Sequence, residues 1–125
     1  MKRLVLESFV LLLHFEVVMR LRSFKTLHKD VRKHPMRPCS TLNRISGEQL
    51  CRAVDIACVF YFKQVLCLQR SAATAVLLRR HGWSAEMVIG AQMVPPAFHA
   101  WVEIDHAVIN DKPYMLDIYQ VLERC

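Results

Sequence analysis

The chain of 125 residues is long enough for one domain with a hydrophobic core but too short for two. Hydrophobic residues make up 54% of it, which excludes a disordered chain, and the net charge of +6 favours an acidic partner. Because neither zinc-finger spacing nor interleaved aromatic and basic residues accompany this charge, a nucleic-acid ligand is not expected.

The five cysteines indicate a reducing environment, which predicts a cytoplasmic protein. Their number is odd, their spacing is irregular and no CxxC pair occurs. This pattern argues against a disulfide framework and against a structural zinc site. We therefore expect free thiols, no bound metal and no cofactor.

The first 22 residues, MKRLVLESFVLLLHFEVVMRLR, predict an apolar helix. Glu7, His14 and Glu16 interrupt the apolar run, and no small-residue cleavage site follows, which argues against a signal peptide. A membrane span needs about 20 mostly uncharged residues, so insertion into a membrane is not expected. We expect the helix to pack inside the domain or against a partner.

A strongly basic stretch follows, in which Pro35 and Pro38 argue against a continuous helix. It is either a solvated connector or a docking surface for an acidic peptide or protein. Residues 1–45 are thus predicted to be an apolar helix with a basic connector, beside a core formed by residues 46–125 in one compact domain.

Two further helices are predicted in the core. Ser46 followed by Gln49 forms a capping box at the start of the first, and the spacing of its apolar residues places Cys58 in the core. The second begins at Cys67 and is stopped by Gly82. After Gly82 the hydrophobic period changes from 3.6 to 2, which predicts strands over 85–92, 99–104 and 107–111.

The order of the elements, helices first and strands second, predicts an α+β fold in which the N-terminal helices pack on a small antiparallel meander. The last segment, YMLDIYQVLERC, is consistent with either a short strand or a short helix.

Cys67 differs from Cys39, Cys51, Cys58 and Cys125 because it is the first residue of a helix. Backbone N–H groups at a helix start have no partner within the helix, and their positive potential stabilises a thiolate. Cys67 is therefore either a nucleophile or a small apolar residue that enters the core.

His99 on the second predicted strand and Asp111 at the end of the third complete a possible catalytic set with Cys67. A thiol nucleophile needs a base within hydrogen-bond reach, and that base needs a third group to orient it. Papain-like and transglutaminase-like enzymes place a cysteine on a helix against a histidine on a sheet. A metal site made of the same three residues is possible, but a thiolate–imidazole pair needs no metal.

The sequence around these residues resembles the transglutaminase-like cysteine proteases that remove leader peptides during lasso peptide biosynthesis. The resemblance covers about residues 50–122. The shared segments are Cys67-Leu68-Gln69-Arg70-Ser71, Arg79-Arg80-His81-Gly82, Ile89-Gly90, His99-Ala100-Trp101-Val102-Glu103 and Asn110-Asp111. The family commonly has Asp-Gly in the turn after the histidine strand, and this chain has Asp105-His106 instead.

The resemblance implies a transglutaminase-like core with Cys67 as nucleophile, His99 as general base and acid, and Asp111 as the orienting carboxylate. It implies a leader peptidase acting on a ribosomally made precursor peptide. The chain looks like a stand-alone protease half, whose partners would be a separate leader-recognition protein and an ATP-dependent, macrolactam-forming lasso cyclase. Acyl transfer to an amine and a non-catalytic scaffold in the same biosynthetic complex are the alternative functions.

Two finer expectations concern the site. Gln64 is a candidate second donor to an oxyanion, beside the backbone N–H of Cys67. A three-residue loop, Ile104-Asp105-His106, would pair Glu103 with Ala107 and bring Asp111 directly across from His99. Such a loop predicts that His106 adopts a left-handed conformation.

Overall fold

A computed structural model describes residues 2–21, 24–36 and 44–125 of the chain. Its elements are α1 (Lys2–Leu21), α2 (Phe24–Lys33), α3 (Gly47–Phe60), α4 (Cys67–Arg80), β1 (Ala85–Met93), β2 (Pro96–Ile104), β3 (Ala107–Val108), α5 (Met115–Ile118) and β4 (Gln120–Arg124). The four strands form one antiparallel sheet in the order β3-β2-β1-β4. Helices followed by a small antiparallel sheet confirm the predicted α+β fold.

The ends of α3 and α4 follow from local chemistry. The Ser46 hydroxyl accepts a hydrogen bond from the backbone N–H of Gln49 at 3.2 Å, as a capping residue does. At the end of α4, Gly82 has a φ of 88°, and the backbone N–H of Trp83 donates to the carbonyl of Leu78 at 2.9 Å. This left-handed glycine with a reverse hydrogen bond terminates the helix, so both predicted boundaries are confirmed.

Helix α4 lies at the centre of the core. Its residues 71–78 are all buried, and three of them are alanines, which let neighbouring elements approach closely. One face of the sheet packs against this helix through Met87, Ile89, Ala100 and Val102. Because α4 is enclosed on several sides, packing fixes the position of the helix relative to β2.

Helix α1 has two different faces. Leu12 and Phe15 are fully buried on the face that joins the common core, as expected for a helix packed inside the domain. The opposite face leaves apolar side chains exposed: Leu6, Val10, Leu13, Val17 and Leu21. Within the described residues, no helix is both long and apolar enough to cross a membrane.

The basic connector was predicted without a helix, and this prediction was wrong for residues 24–33. They form α2, in which Leu27 and Val31 are fully buried. Two apolar residues spaced by four are enough to fix a short helix on a core that already exists, and the described basic side chains of Lys29, Arg32 and Lys33 are exposed. Pro38 and Cys39 lie outside the described residues.

The turn between β2 and β3 also differs from the prediction. Ile104 pairs with Ala107 and Glu103 with Val108, so the loop has two residues, Asp105 and His106, instead of three. Their φ angles are 50° and 65°. His106 is left-handed as predicted, but Asp105 is left-handed too, and two such residues make the tight turn whose twist matches that of the strands.

The C-terminal segment contains both of the structures that its sequence allowed. It forms the short helix α5 and then β4, which pairs with β1 along the edge away from β2. This arrangement places α5, through Met115, against the sheet face that carries Val88 and Trp101.

Candidate active site

His99 and Asp111 are in direct contact, although the observed strand register predicts the opposite. With Ile104 opposite Ala107, a continued ladder would place Asp111 opposite Ala100, on the other face of the sheet from His99. The third strand was predicted over 107–111, but β3 ends at Val108. Only one further ladder bond forms, from the Ile109 N–H to the Val102 carbonyl at 3.0 Å.

The chain leaves the ladder at Asn110. The Val102 N–H, which an unbroken ladder would give to the Ile109 carbonyl, donates to the Asn110 side-chain oxygen at 2.7 Å. Residues 110 and 111 then form a bend. The bend turns Asp111 to the side of the sheet on which His99 lies, so the predicted pair forms by a different route from the predicted register.

The His99–Asp111 hydrogen bond joins imidazole Nε2 to carboxylate Oδ2 at 2.5 Å. The other oxygen, Oδ1, accepts the Lys112 backbone N–H at 2.8 Å. Partial burial alone would raise the pKa of the Asp111 carboxyl, but these two hydrogen bonds and the nearby charges of His99 and Arg70 lower it below its usual value. An ionised carboxylate only accepts hydrogen bonds, so Nε2 carries the proton and Nδ1 is left for chemistry.

Aromatic rings fix the plane of the His99 imidazole. Tyr119 stacks on it at a centroid distance of 5.4 Å and Trp101 at 6.2 Å, both tilted by 27°. Trp101 is fully buried and donates its indole N–H to the buried carboxylate of Glu103 at 2.8 Å. Arg124 donates to the second oxygen of Glu103 at 2.7 Å. The Trp101 ring that stacks on His99 is therefore itself held in place.

The aromatic rings need the glycine opposite His99. Gly90 pairs with His99, and a Cβ at this position would lie 2.7 Å from the Trp101 ring and 2.8 Å from Tyr119 Cβ. We expect Gly90→Ala to lower the free energy of unfolding by about 1–3 kcal/mol, because overpacking forces the ring or the strand to move. Thermal or urea unfolding measures this loss. Ala91→Gly, one residue along the same strand, is the control for backbone effects, and an unchanged stability of Gly90→Ala would contradict the expectation.

Cys67 begins α4, as predicted, and its side chain is exposed. The preceding residue, Leu66, makes no side-chain hydrogen bond to the helix start. In the described part of the chain, no hydrogen bond joins the Cys67 thiol to His99. His99 shares with Trp101 the sheet face opposite to the one through which Ala100 and Val102 pack on α4, so the structure brings His99 and Asp111 together but not Cys67.

The first turns of α4 are nevertheless tied to the bend that carries Asp111. The Asn110 amide donates to the hydroxyl of Ser71 at 3.4 Å, and the Arg70 guanidinium donates to the Asn110 carbonyl at 3.4 Å. Arg70 also pairs with Asp55 at 2.6 Å. Ser71 is one helical turn after Cys67, so these contacts connect the cysteine helix with the His99–Asp111 pair.

Gln64 precedes α4 by three residues and is exposed. It lines a surface pocket together with Asp55, Cys58, Val65 and Arg70.

The sequence gives no sign that the Asn110 side chain has a structural role of its own, because the Asn-Asp dipeptide is predicted to be the end of a strand. Among residues 2–21, 24–36 and 44–125, no cluster of three or more His, Cys, Asp or Glu side chains is arranged to hold a metal ion.

The described cysteines other than Cys67 are shielded from reaction. Burial raises the pKa of Cys51 and of Cys125 to about 11, and it also raises the pKa of the half-buried Cys58. These three remain protonated thiols at neutral pH, and a thiol reacts far more slowly than a thiolate.

We therefore expect a thiol-directed electrophile at pH 7 to modify Cys67 before the other described cysteines. Peptide mapping by mass spectrometry after short labelling measures the order. Labelling after unfolding in guanidinium is the control, since it makes every thiol accessible. Faster labelling of Cys51, Cys58 or Cys125 in the folded protein would count against a reactive Cys67.

Comparison with known proteins adds a family and one partial relative. The family model described as the transglutaminase-like superfamily matches residues 9–124. The microcin J25-processing protein McjB of Escherichia coli is 39% identical over 56 residues, which are 45% of this chain and 27% of McjB. The chain thus matches only about a quarter of the length of that relative. No solved structure matches.

Proposed function

Because the chain belongs to the transglutaminase-like superfamily, we propose that it is a cysteine peptidase which removes the leader from a lasso peptide precursor. The hydrogen bond between His99 and Asp111 is the observation that carries this proposal. A histidine oriented by a carboxylate needs a nucleophile nearby, and Cys67 begins the helix whose next turn contacts the same bend. The name of McjB describes the processing of a peptide, which supports a precursor peptide as substrate.

The proposed reaction has two steps. The Cys67 thiolate attacks the carbonyl carbon of the bond between leader and core, and the C–N bond breaks as protonated His99 gives its proton to the leaving amine. The leader is left as a thioester on Cys67. His99 then takes a proton from water, which attacks the thioester and releases the leader as a free carboxylate. Asp111 keeps Nε2 protonated throughout, so that Nδ1 exchanges the proton.

Backbone N–H groups at the start of α4 supply the proposed oxyanion site. Leu66 does not cap them with its side chain, so the N–H of Cys67 is available to a developing negative charge. The exposed Gln64 is the proposed second donor, because it lies on the segment that leads into Cys67.

The proposed partners are a leader-recognition protein, which presents the precursor, and a macrolactam-forming cyclase, which takes the released core. A cytoplasmic location belongs to the same proposal. The net charge of +6 and the exposed cations of α2 favour partners or substrates with acidic segments.

Mass spectrometry of a lasso precursor incubated with this protein tests the proposal, with and without a leader-recognition protein. We expect a leader that ends in a free carboxylate and a core with a new amino terminus. A leader joined to an added amine would instead establish acyl transfer, the main alternative. Processing that needs the protein but survives the loss of Cys67 would establish a scaffold.

A further inference from the structure

The strand register alone would separate Asp111 from His99. Continuation of the observed pairing puts Asp111 opposite Ala100, and side chains of neighbouring positions point to opposite faces. The contact therefore depends on whatever ends the ladder early. Asn110 is the residue at which the ladder ends.

We propose that Asn110 is a positioning residue, which keeps Asp111 on the His99 side of the sheet because its side-chain oxygen replaces a backbone acceptor of the β-ladder. Its Oδ1 accepts a hydrogen bond from the Val102 N–H at 2.7 Å. The Ile109 carbonyl is therefore not needed as an acceptor, and the backbone is free to turn. This proposal deepens the proposed function, because it rests on Asp111 orienting His99 in the catalytic set.

The other end of the Asn110 side chain faces the cysteine helix. Its amide donates to Ser71, which is buried, and its backbone carbonyl accepts from Arg70. A single residue thus contacts both the strand that carries His99 and the helix that begins at Cys67. These contacts fix where the bend lies along α4 and in which direction the chain turns there.

An alanine at position 110 removes both contacts of the side chain. The Val102 N–H then lacks its acceptor, and the nearest replacement is the Ile109 carbonyl, which an antiparallel ladder would supply. Pairing through Ile109 extends β3 and carries Asp111 to the wrong face. The loss of activity in Asn110→Ala should therefore arise from the displacement of Asp111 and not from a separate effect.

A mutant cycle on precursor cleavage tests this dependence. We expect Asn110→Ala and Asp111→Ala each to lower kcat/KM by about 100-fold, and the double variant to be no slower than either. Asn110→Asp keeps an oxygen for the Val102 N–H and should retain activity within about tenfold of the native chain. Lys112→Ala, next to the bend, is the matched control, because it keeps the backbone N–H that contacts Asp111.

A second measurement does not depend on cleavage. Titration of the Asp111 carboxyl by carbon NMR should give a pKa below the usual range in the native chain and a value near that range in Asn110→Ala. If the alanine variant does not fold, Asn110→Ser replaces it in this titration. The serine side chain is one atom too short for its oxygen to reach the Val102 N–H.

Three results would overturn the positioning role: multiplicative losses in the double variant, no rescue by Asn110→Asp, or an Asp111 titration unchanged in Asn110→Ala. Failure of the proposed function looks different. In that case the native chain does not cleave the precursor, while the Asp111 titration still responds to Asn110.

Discussion

Replacement of Cys67 by alanine is expected to abolish precursor cleavage, with a loss of at least about 10⁴-fold in kcat, because the nucleophile is removed. The fold should be retained, since the Cys67 side chain is exposed and leaves no cavity when it is shortened. Mass spectrometry of the precursor measures the first effect. Thermal unfolding measures the second, with an expected change in unfolding free energy within about 0.5 kcal/mol.

Cys58→Ala is the matched control for this experiment. Cys58 is the half-buried cysteine of α3 and contacts the core, so its loss should change stability slightly and leave cleavage intact. If Cys67→Ala still cleaved the precursor, or if Cys58→Ala were equally inactive, the nucleophile would have to be assigned elsewhere.

Asp111→Ala is expected to lower kcat by about 100-fold with little change in KM, because Asp111 orients His99 and is not proposed to hold the peptide. Asp111→Asn should lose much less, since the amide oxygen still accepts the proton on Nε2. Steady-state kinetics on the three proteins separates the two effects. An equal loss in both variants would mean that the charge of Asp111, and not its hydrogen bond, is what the reaction requires.

The same carboxylate should contribute to acid stability. A carboxyl whose pKa is lower in the folded chain stabilises the fold above its unfolded pKa of about 3.9, and this contribution disappears as the pH falls through the lower folded value. Unfolding measured between about pH 5 and pH 2 should therefore show a steeper loss for the native chain than for Asp111→Asn. Parallel curves for the two proteins would indicate that the pKa of Asp111 does not change on folding.

The parts of the fold that local chemistry determines could be predicted from the sequence. Ser46 and Gly82 act on the backbone next to them, so the start of α3 and the end of α4 are visible in a few letters. The hydrophobic period of two located β1 and β2. These features need no knowledge of the rest of the molecule.

The parts that depend on tertiary contacts could not be predicted in the same way. Among the described side chains of α2, the fully buried apolar ones are Leu27 and Val31, and a surface for them exists only once α1 and α4 have packed. The two-residue turn needed a left-handed Asp105 as well as His106. The period-two pattern of AVIND gave no sign that the Asn110 side chain would replace a backbone partner.

The proposed site residues could be selected without knowledge of the geometry that brings two of them together. Cys67, His99 and Asp111 were selected by residue type, by the helix start and by family resemblance, and none of these arguments requires the correct register. His99 and Asp111 meet in the structure because β3 ends at Val108 and the bend at Asn110 offsets the effect of the two-residue turn.

The indole of Trp101, which stacks on His99, allows the site to be followed by fluorescence. The chain has two tryptophans, and an imidazole beside an indole quenches its fluorescence more strongly when it is charged. Trp83 lies apart from the site, with Arg44 over its ring and its N–H on the Ile45 carbonyl. In a Trp83→Phe variant, the emission of Trp101 would report on the His99 imidazole during the proposed acylation and release, without any label on the substrate.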